Sequence, residues 1–119
     1  MYKIGDFAKI TKTSIRTLRF YDKIDLFKPE EIDLFTNYRY YSESQLEEFK
    51  LIVKLKDLGF SLDEIKKYRN NLTEQVLLDK KKELMETKDN IDSKIKQLDI
   101  MRSKLSKPQK NKVLKKEME

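Results

Sequence analysis

Ser14-Ile15-Arg16-Thr17-Leu18-Arg19-Phe20-Tyr21-Asp22-Lys23 gathers two guanidinium groups, two aliphatic hydroxyls and two aromatic rings into ten residues. Ile15 and Leu18 stand three apart. If they face inward on a helix, Arg16, Thr17, Phe20 and Tyr21 are left near the opposite surface. Such a face suits a polyanion: guanidinium pairs with phosphate oxygens or with guanine in the major groove, hydroxyls bond phosphate, and a ring packs on sugar or on a thymine methyl. The helix N-terminus at Thr13 or Ser14 adds orphan N–H donors for a phosphate. A blander account of the same residues has Arg19 pairing with Asp22 three positions on, Phe20 or Tyr21 in the core, and Arg16 as a solvated charge.

The flanking pattern says what would position that face. Ile4, Phe7, Ala8 and Ile10 fall at helical spacing, and Thr11-Lys12-Thr13 separates them from the run opened by Ser14. Two short helices joined by a three- or four-residue turn form a helix-turn-helix, whose second helix can enter a major groove. Between Phe27 and Tyr41 the helical period disappears. Phe35-Thr36-Asn37-Tyr38-Arg39-Tyr40-Tyr41 is rich in strand formers and predicts a small β-hairpin, or wing, with Asn37 as a turn residue. Ser42-Glu43-Ser44-Gln45 has the form of a capping box, and Leu46, Phe49, Ile52, Val53, Leu55 and Leu58 predict a third helix ending at Gly59. Ser61-Leu62-Asp63-Glu64 is a second capping box, for a short helix through about Tyr68.

Beyond Leu72 the chain turns polar, with Leu77, Leu84, Ile91, Leu98 and Leu105 at every seventh position and Met85, Ile95 and Met101 thickening the stripe. Five heptad matches predict a helix that pairs with another helix, in preference to one packed within its own domain. Pro108 ends it. The fold expected is mainly α: a winged helix-turn-helix over 1–72, a coiled-coil dimerisation helix over 73–107, and a short basic tail over 108–119.

Composition narrows the chemistry. Cysteine and histidine are both absent, which removes disulfides, thiolate and imidazole metal sites and the commonest general base. The acidic residues lie among lysines on helix surfaces with no nucleophile–base pairing, so no enzyme, metal or cofactor is expected. Lysine and arginine outnumber aspartate and glutamate by 27 to 21, a net charge of +6 that suits a polyanionic partner. No run of signal-peptide or membrane-span length occurs, so a cytoplasmic protein that avoids membranes is expected.

Four blocks, in order, are similar to the MerR family of bacterial transcriptional regulators: Tyr2-Lys3-Ile4-Gly5-Asp6-Phe7-Ala8-Lys9, Ser14 to Asp22, Asn37-Tyr38-Arg39-Tyr40-Tyr41-Ser42, and Leu58-Gly59-Phe60-Ser61-Leu62-Asp63-Glu64-Ile65. The resemblance covers residues 1 to about 70 by motif and the long helix by architecture. It implies a recognition helix carrying Ser14, Arg16, Thr17, Arg19 and Tyr21, a first wing carrying Tyr38, Arg39 and Tyr40, and Lys56 in a second wing. It also implies antiparallel pairing of the long helices through Leu77, Leu84, Ile91, Ile95, Leu98 and Leu105.

The partners implied are double-stranded DNA at a pseudo-palindromic promoter operator, a second copy of the chain, and RNA polymerase nearby. The mechanism implied is distortion of promoter spacer DNA. Asp25 and Asn37 stand where the family usually has glycine, and both positions are expected to need positive φ, which Asp and Asn tolerate better than other side chains. No cysteine metal loop or ligand domain follows the long helix, so the expectation is a truncated chain or a small regulator without its own sensor. Two rivals stay open: an architectural DNA-bending protein of the excisionase type, and a helical interaction scaffold.

Overall fold

The structure, a computed structural model, describes residues 1–106, so the expected basic tail and its Pro108 lie outside the described residues. Strand β1 (Tyr2–Lys3) leads directly into helix α1 (Ile4–Thr11), followed by α2 (Ile15–Lys23), β2 (Glu31–Ile32), β3 (Arg39–Tyr41), α3 (Ser44–Asp57), α4 (Leu62–Tyr68) and α5 (Glu74–Ser106). The chain divides into two compact units, Met1–Val76 and Leu77 onward.

The first unit is organised around aromatic rings, one from nearly every element. Phe7 of α1 stacks on Tyr41 of β3 at 4.5 Å and on Phe27 at 5.9 Å, and meets Phe49 of α3 edge-on at 5.8 Å. Tyr21 of α2 closes the cluster against Phe49 at 6.2 Å. Leu18, Leu26, Ile52, Leu55, Phe60 and Ile65 complete a buried core. Large flat groups bury much area per residue ordered, and offset pairing adds about 0.5–1.5 kcal/mol per pair. A unit with so few apolar residues can therefore still hold a fixed core.

The sheet is larger than the expected hairpin. Its order is β1-β3-β2, all antiparallel, with Tyr2 opposite Tyr41 and Glu31 opposite Tyr40. Phe35 and Thr36 are not strand, because the Asp33 carboxylate accepts both of their N–H groups, at 2.8 and 3.1 Å, and turns the chain there. Asn37 and Asp25 both adopt φ of 60°, as expected, and Lys12 at 57° supplies a left-handed residue at the end of α1 that the sequence did not single out.

The two capping boxes differ. At α4 the box is complete: Glu64 N–H donates to Ser61 Oγ at 3.1 Å and Ser61 N–H to Glu64 Oε1 at 2.9 Å. At α3 it is half formed. Gln45 Oε1 accepts from Ser42 N–H at 3.0 Å, but Ser42 Oγ is engaged with Ser44 Oγ at 3.0 Å instead of with a helix N–H. Gln45 instead spends its amide on the Lys28 carbonyl, at 2.6 Å, tying α3 to the segment after α2.

In the second unit α5 is continuous. The predicted stripe residues Leu77, Leu84, Ile91, Ile95, Leu98 and Leu105 are each 45–65% exposed.

Candidate nucleic-acid interface

Helix α2 starts with a built cap: Ser14 Oγ accepts from Thr17 N–H at 3.0 Å and shares a hydrogen bond with Thr17 Oγ1 at 2.9 Å. Ser14 and Thr17 thus fix the helix entrance, with the two hydroxyls oriented by each other. Arg16 and Arg19 project from the exposed side and, among the described residues, pair with no carboxylate. The Arg19–Asp22 pair of the blander account does not form: the Asp22 oxygens are taken by Arg39 and Lys28. Phe20 is half exposed on the same helix.

Tyr21 corrects the sequence reading, which placed it near the outer surface. It is only 5% exposed, with its ring in the core beside Phe49. The reason is periodicity: Tyr21 follows Leu18 by three residues and shares its face, whereas Ile15, taken as inward, is 40% exposed. The inward face of α2 is centred on Leu18 and Tyr21, and Tyr21 is a packing residue.

Arg39 is also placed differently from a free wing contact. Along β3 the side chains alternate, so Arg39 shares the inner face with the buried Tyr41 while Tyr40 takes the other. The Arg39 Nε donates to Asp22 Oδ2 at 3.0 Å, locking the wing to the last turn of α2. The other Asp22 oxygen takes Lys28 Nζ at 3.0 Å, and Lys28 also bridges to Asp25 at 2.9 Å. Burial alone would raise the Asp22 carboxyl pKa, but the hydrogen bonds from Arg39 and Lys28 outweigh it and hold the group below the usual carboxylate range. The Tyr41 hydroxyl is buried without a partner, and burial together with the nearby Asp22 charge pushes its pKa up to about 12.

Tyr38 is half exposed at the end of the turn, with Lys3 Nζ 5.0 Å from its ring centroid, within cation–π range. Lys3, Arg19, Tyr38 and Arg39 line one open cleft of about 360 Å³ between α1, α2 and the wing. Of the predicted contacts, the structure thus brings together Arg19, Tyr38 and Arg39, with Ser14, Arg16 and Thr17 on the same helix as Arg19. Tyr40 is half-buried on the sheet, and Lys56 is exposed in the last turn of α3. Lys3 escaped the sequence reading. Its signal was its place beside Tyr2, whose strand pairing with Tyr41 brings Lys3 opposite Tyr40.

Among the described residues no cluster of acidic, histidine or cysteine side chains could hold a metal ion, and no helix is long and apolar enough to cross a membrane.

Known proteins share this fold. A family model described as MerR HTH family regulatory protein matches residues 2–72, and one described as MerR, DNA binding matches residues 46–107. The chain is similar to the multidrug-efflux transporter 1 regulator of Bacillus subtilis (strain 168), at 53% identity over 66 residues, covering 56% of this chain and 24% of that protein. The crystal structure of the N-terminus of MtaN, the Bacillus subtilis multidrug transporter activator, superposes with a TM-score of 0.78 at 36% identity, covering 85% of this chain and 97% of that one. The cryo-EM structure of the EcmrR–DNA complex in EcmrR-RPo gives a TM-score of 0.81 at 27% identity, covering 91% of this chain and 41% of that one. The chain spans between 23% and 39% of the length of the first curated relatives it matches.

Proposed function

Since this chain belongs to the MerR family of helix-turn-helix regulatory proteins, we propose that it regulates transcription by binding promoter DNA as a homodimer. One observation carries the reading. The exposed side of α2 presents Arg16 and Arg19 without carboxylate partners, beside a cleft whose walls add Lys3 and Tyr38. That is a pair of guanidinium groups free of carboxylates, on an element of the right width for a major groove, next to a cation–ring pair at the cleft wall. Arg16 and Arg19 reach base edges or phosphates. Thr17 and the Ser14 cap meet a backbone phosphate, and the Lys3–Tyr38 pair, Tyr40 and Lys56 hold the flanking backbone.

Arg39 acts at one remove, by fixing the wing on Asp22. We place the DNA-binding part at 1–72, where one matching model ends, and the dimerisation helix at 73–107, within the stretch 46–107 that the other covers. The stripe from Leu77 to Leu105 joins two copies, antiparallel, so that two recognition helices read the halves of a pseudo-palindromic operator. A grip on both halves and their flanking phosphates can offset a DNA deformation cost of order 1–6 kcal/mol, which supports action by distorting the promoter spacer alongside RNA polymerase. Two MerR-type models together span residues 2–107, which favours this reading over an excisionase-type bender or a scaffold.

The test is to select bound fragments from a random DNA pool and titrate the selected site with the wild-type protein, Arg16→Ala and Tyr38→Ala. Arg16→Ala is expected to cost about 1–3 kcal/mol, a roughly 5- to 150-fold loss of affinity, and Tyr38→Ala a smaller, sequence-independent loss. Unchanged affinity in both variants rejects the assigned face.

A further inference from the structure

The hairpin tip between β2 and β3 carries two of the most exposed apolar side chains of the described residues: Leu34 is 90% exposed and Phe35 98%. The tip is not loose chain. Asp33 N–H donates to Tyr38 O at 2.9 Å, Asn37 N–H to Asp33 O at 2.8 Å, and the Asp33 carboxylate holds the N–H groups of Phe35 and Thr36. The two apolar groups are therefore displayed on a preorganised turn, which lowers the entropic cost of docking them. Glu30, Glu31 and Asp33 immediately precede them in an otherwise basic chain. Three carboxylates in four residues repel phosphate, which disfavours a phosphate contact at the Leu34–Phe35 apex itself.

On the same unit an open groove of about 310 Å³ runs between α1 and α3, with Phe49 at its floor, Ile10, Leu46 and Val53 along it, and Lys12 and Lys50 at its rim. Ile10 and Val53 are 51% and 42% exposed. The exposed ion pair of Lys50 with Glu47, at 3.2 Å, is of the weak kind that exchanges readily. The groove is apolar inside and cationic at its edge. The tip is apolar at its end and anionic at its base.

We propose that the Leu34–Phe35 tip of one copy of this chain inserts into the α1–α3 groove of another, with Glu30 and Glu31 meeting Lys12 and Lys50. Because knob and groove are different surfaces, the contact is heterologous and links copies in series instead of closing a pair. A tip of two residues buries far less than the roughly 1,000 Å² of a stable interface, so the contact is weak in dilute solution. Where copies sit side by side on one DNA molecule, at effective concentrations on the order of mM, it makes their binding cooperative. This last consequence alone rests on the DNA-binding reading.

The test omits DNA. Sedimentation equilibrium up to about 1 mM protein, at low and high salt, is expected to show a mass that climbs past the smallest stable species and falls back with salt. Phe35→Ser, Glu30→Lys with Glu31→Lys, and Lys12→Glu with Lys50→Glu should each remove the climb, and the two charge reversals combined in one chain should restore it. All these positions are exposed, and an unchanged melting temperature confirms that each variant folds. A wild-type mass that plateaus at every concentration, or a combined reversal that fails to restore the climb, overturns the proposal and leaves the DNA-binding reading untouched. Equally, if Phe35→Ser weakens binding to a single operator, the tip belongs to the DNA interface and the proposal fails.

Discussion

The two units handle their apolar residues in opposite ways. In the unit Met1–Val76, Phe7, Leu18, Leu26, Phe27, Tyr41, Ile52, Leu55 and Ile65 are all at most 1% exposed. From Leu77 onward every large apolar side chain of α5 stays about half exposed, which is what a lone helix leaves uncovered. The first unit completes its burial within one chain. The described part of the second is α5 from Leu77 to Ser106, with no buried apolar side chain among its described residues, so its stability calls for a second surface. On the function proposed above, this architecture separates reading from pairing: the groove-reading face would be set by an intramolecular core, and the distance between two such faces by an intermolecular seam.

The sharpest way to break that contrast is at the middle of the seam. Ile91→Lys puts a charge in the apolar stripe, and the expected result is monomers by sedimentation, a weakening of association by at least two orders of magnitude. The cooperative melting of the first unit should persist. A dimer of unchanged mass would mean that the stripe is not the seam.

Next in size is the core of the first unit. Phe7→Ala removes the ring that touches Phe27, Tyr41 and Phe49, and a loss of about 3–5 kcal/mol is expected by chemical denaturation. For a domain this small that approaches its whole stability. Were the first unit to survive Phe7→Ala with less than ~1 kcal/mol lost, its core would not be the self-sufficient body contrasted here with α5.

Asp22→Asn probes the joint between recognition helix and wing. It keeps the shape and removes the charge that holds Arg39 and Lys28, and a loss of about 1–3 kcal/mol is expected, with a weaker grip on DNA and an unchanged dimer. The pH dependence has a definite sign. Pairing lowers the folded pKa of Asp22, so its contribution is complete above the ordinary carboxylate value of about 4 and disappears as pH falls through the lower folded value. The gap between the melting curves of the wild type and Asp22→Asn should therefore start to narrow as pH falls below about 4 and close once the folded carboxyl is protonated, and a gap that stays constant through that acidification would show that the charge is not what matters.

What the sequence made legible was local. The Ser61–Glu64 box and Gly59 at φ 96° lie within a few residues of the helix ends they govern, whereas the left-handed backbone of Asn37 and Asp25 was legible only through the family resemblance, which has glycine at both positions. The heptads of α5 needed only their own spacing. What escaped depends on contacts across the chain: β1 exists because Tyr2 meets Tyr41, and Arg39 turns inward because Asp22 waits 17 residues earlier. Tyr21 is an intermediate case. Its spacing from Leu18 was visible, but Ile15 drew the inward face one step off, and only packing against Phe49 decided between them.

The smallest effect separates two turns that look alike. Asp25 and Asn37 share a φ of 60°, where an L side chain costs more than glycine, and glycine in turn loses more entropy on folding. Were backbone strain the whole story, both glycine substitutions would stabilise equally. But Asp25 also holds Lys28 at 2.9 Å, and Lys28 braces the Asp22 joint, whereas Asn37 is fixed through its backbone N–H on the Asp33 carbonyl, which glycine retains. Asn37→Gly should therefore gain up to ~1 kcal/mol, a few degrees in melting temperature. Asp25→Gly should also raise the melting temperature, but by less, and raising the salt concentration should narrow the difference as the Lys28 pair is screened. Calorimetry on the two single variants at low and high salt checks the order. If Asp25→Gly gains as much as Asn37→Gly at low salt, its ion pair contributes nothing. If it gains nothing at any salt, the turn after α2 is not strained.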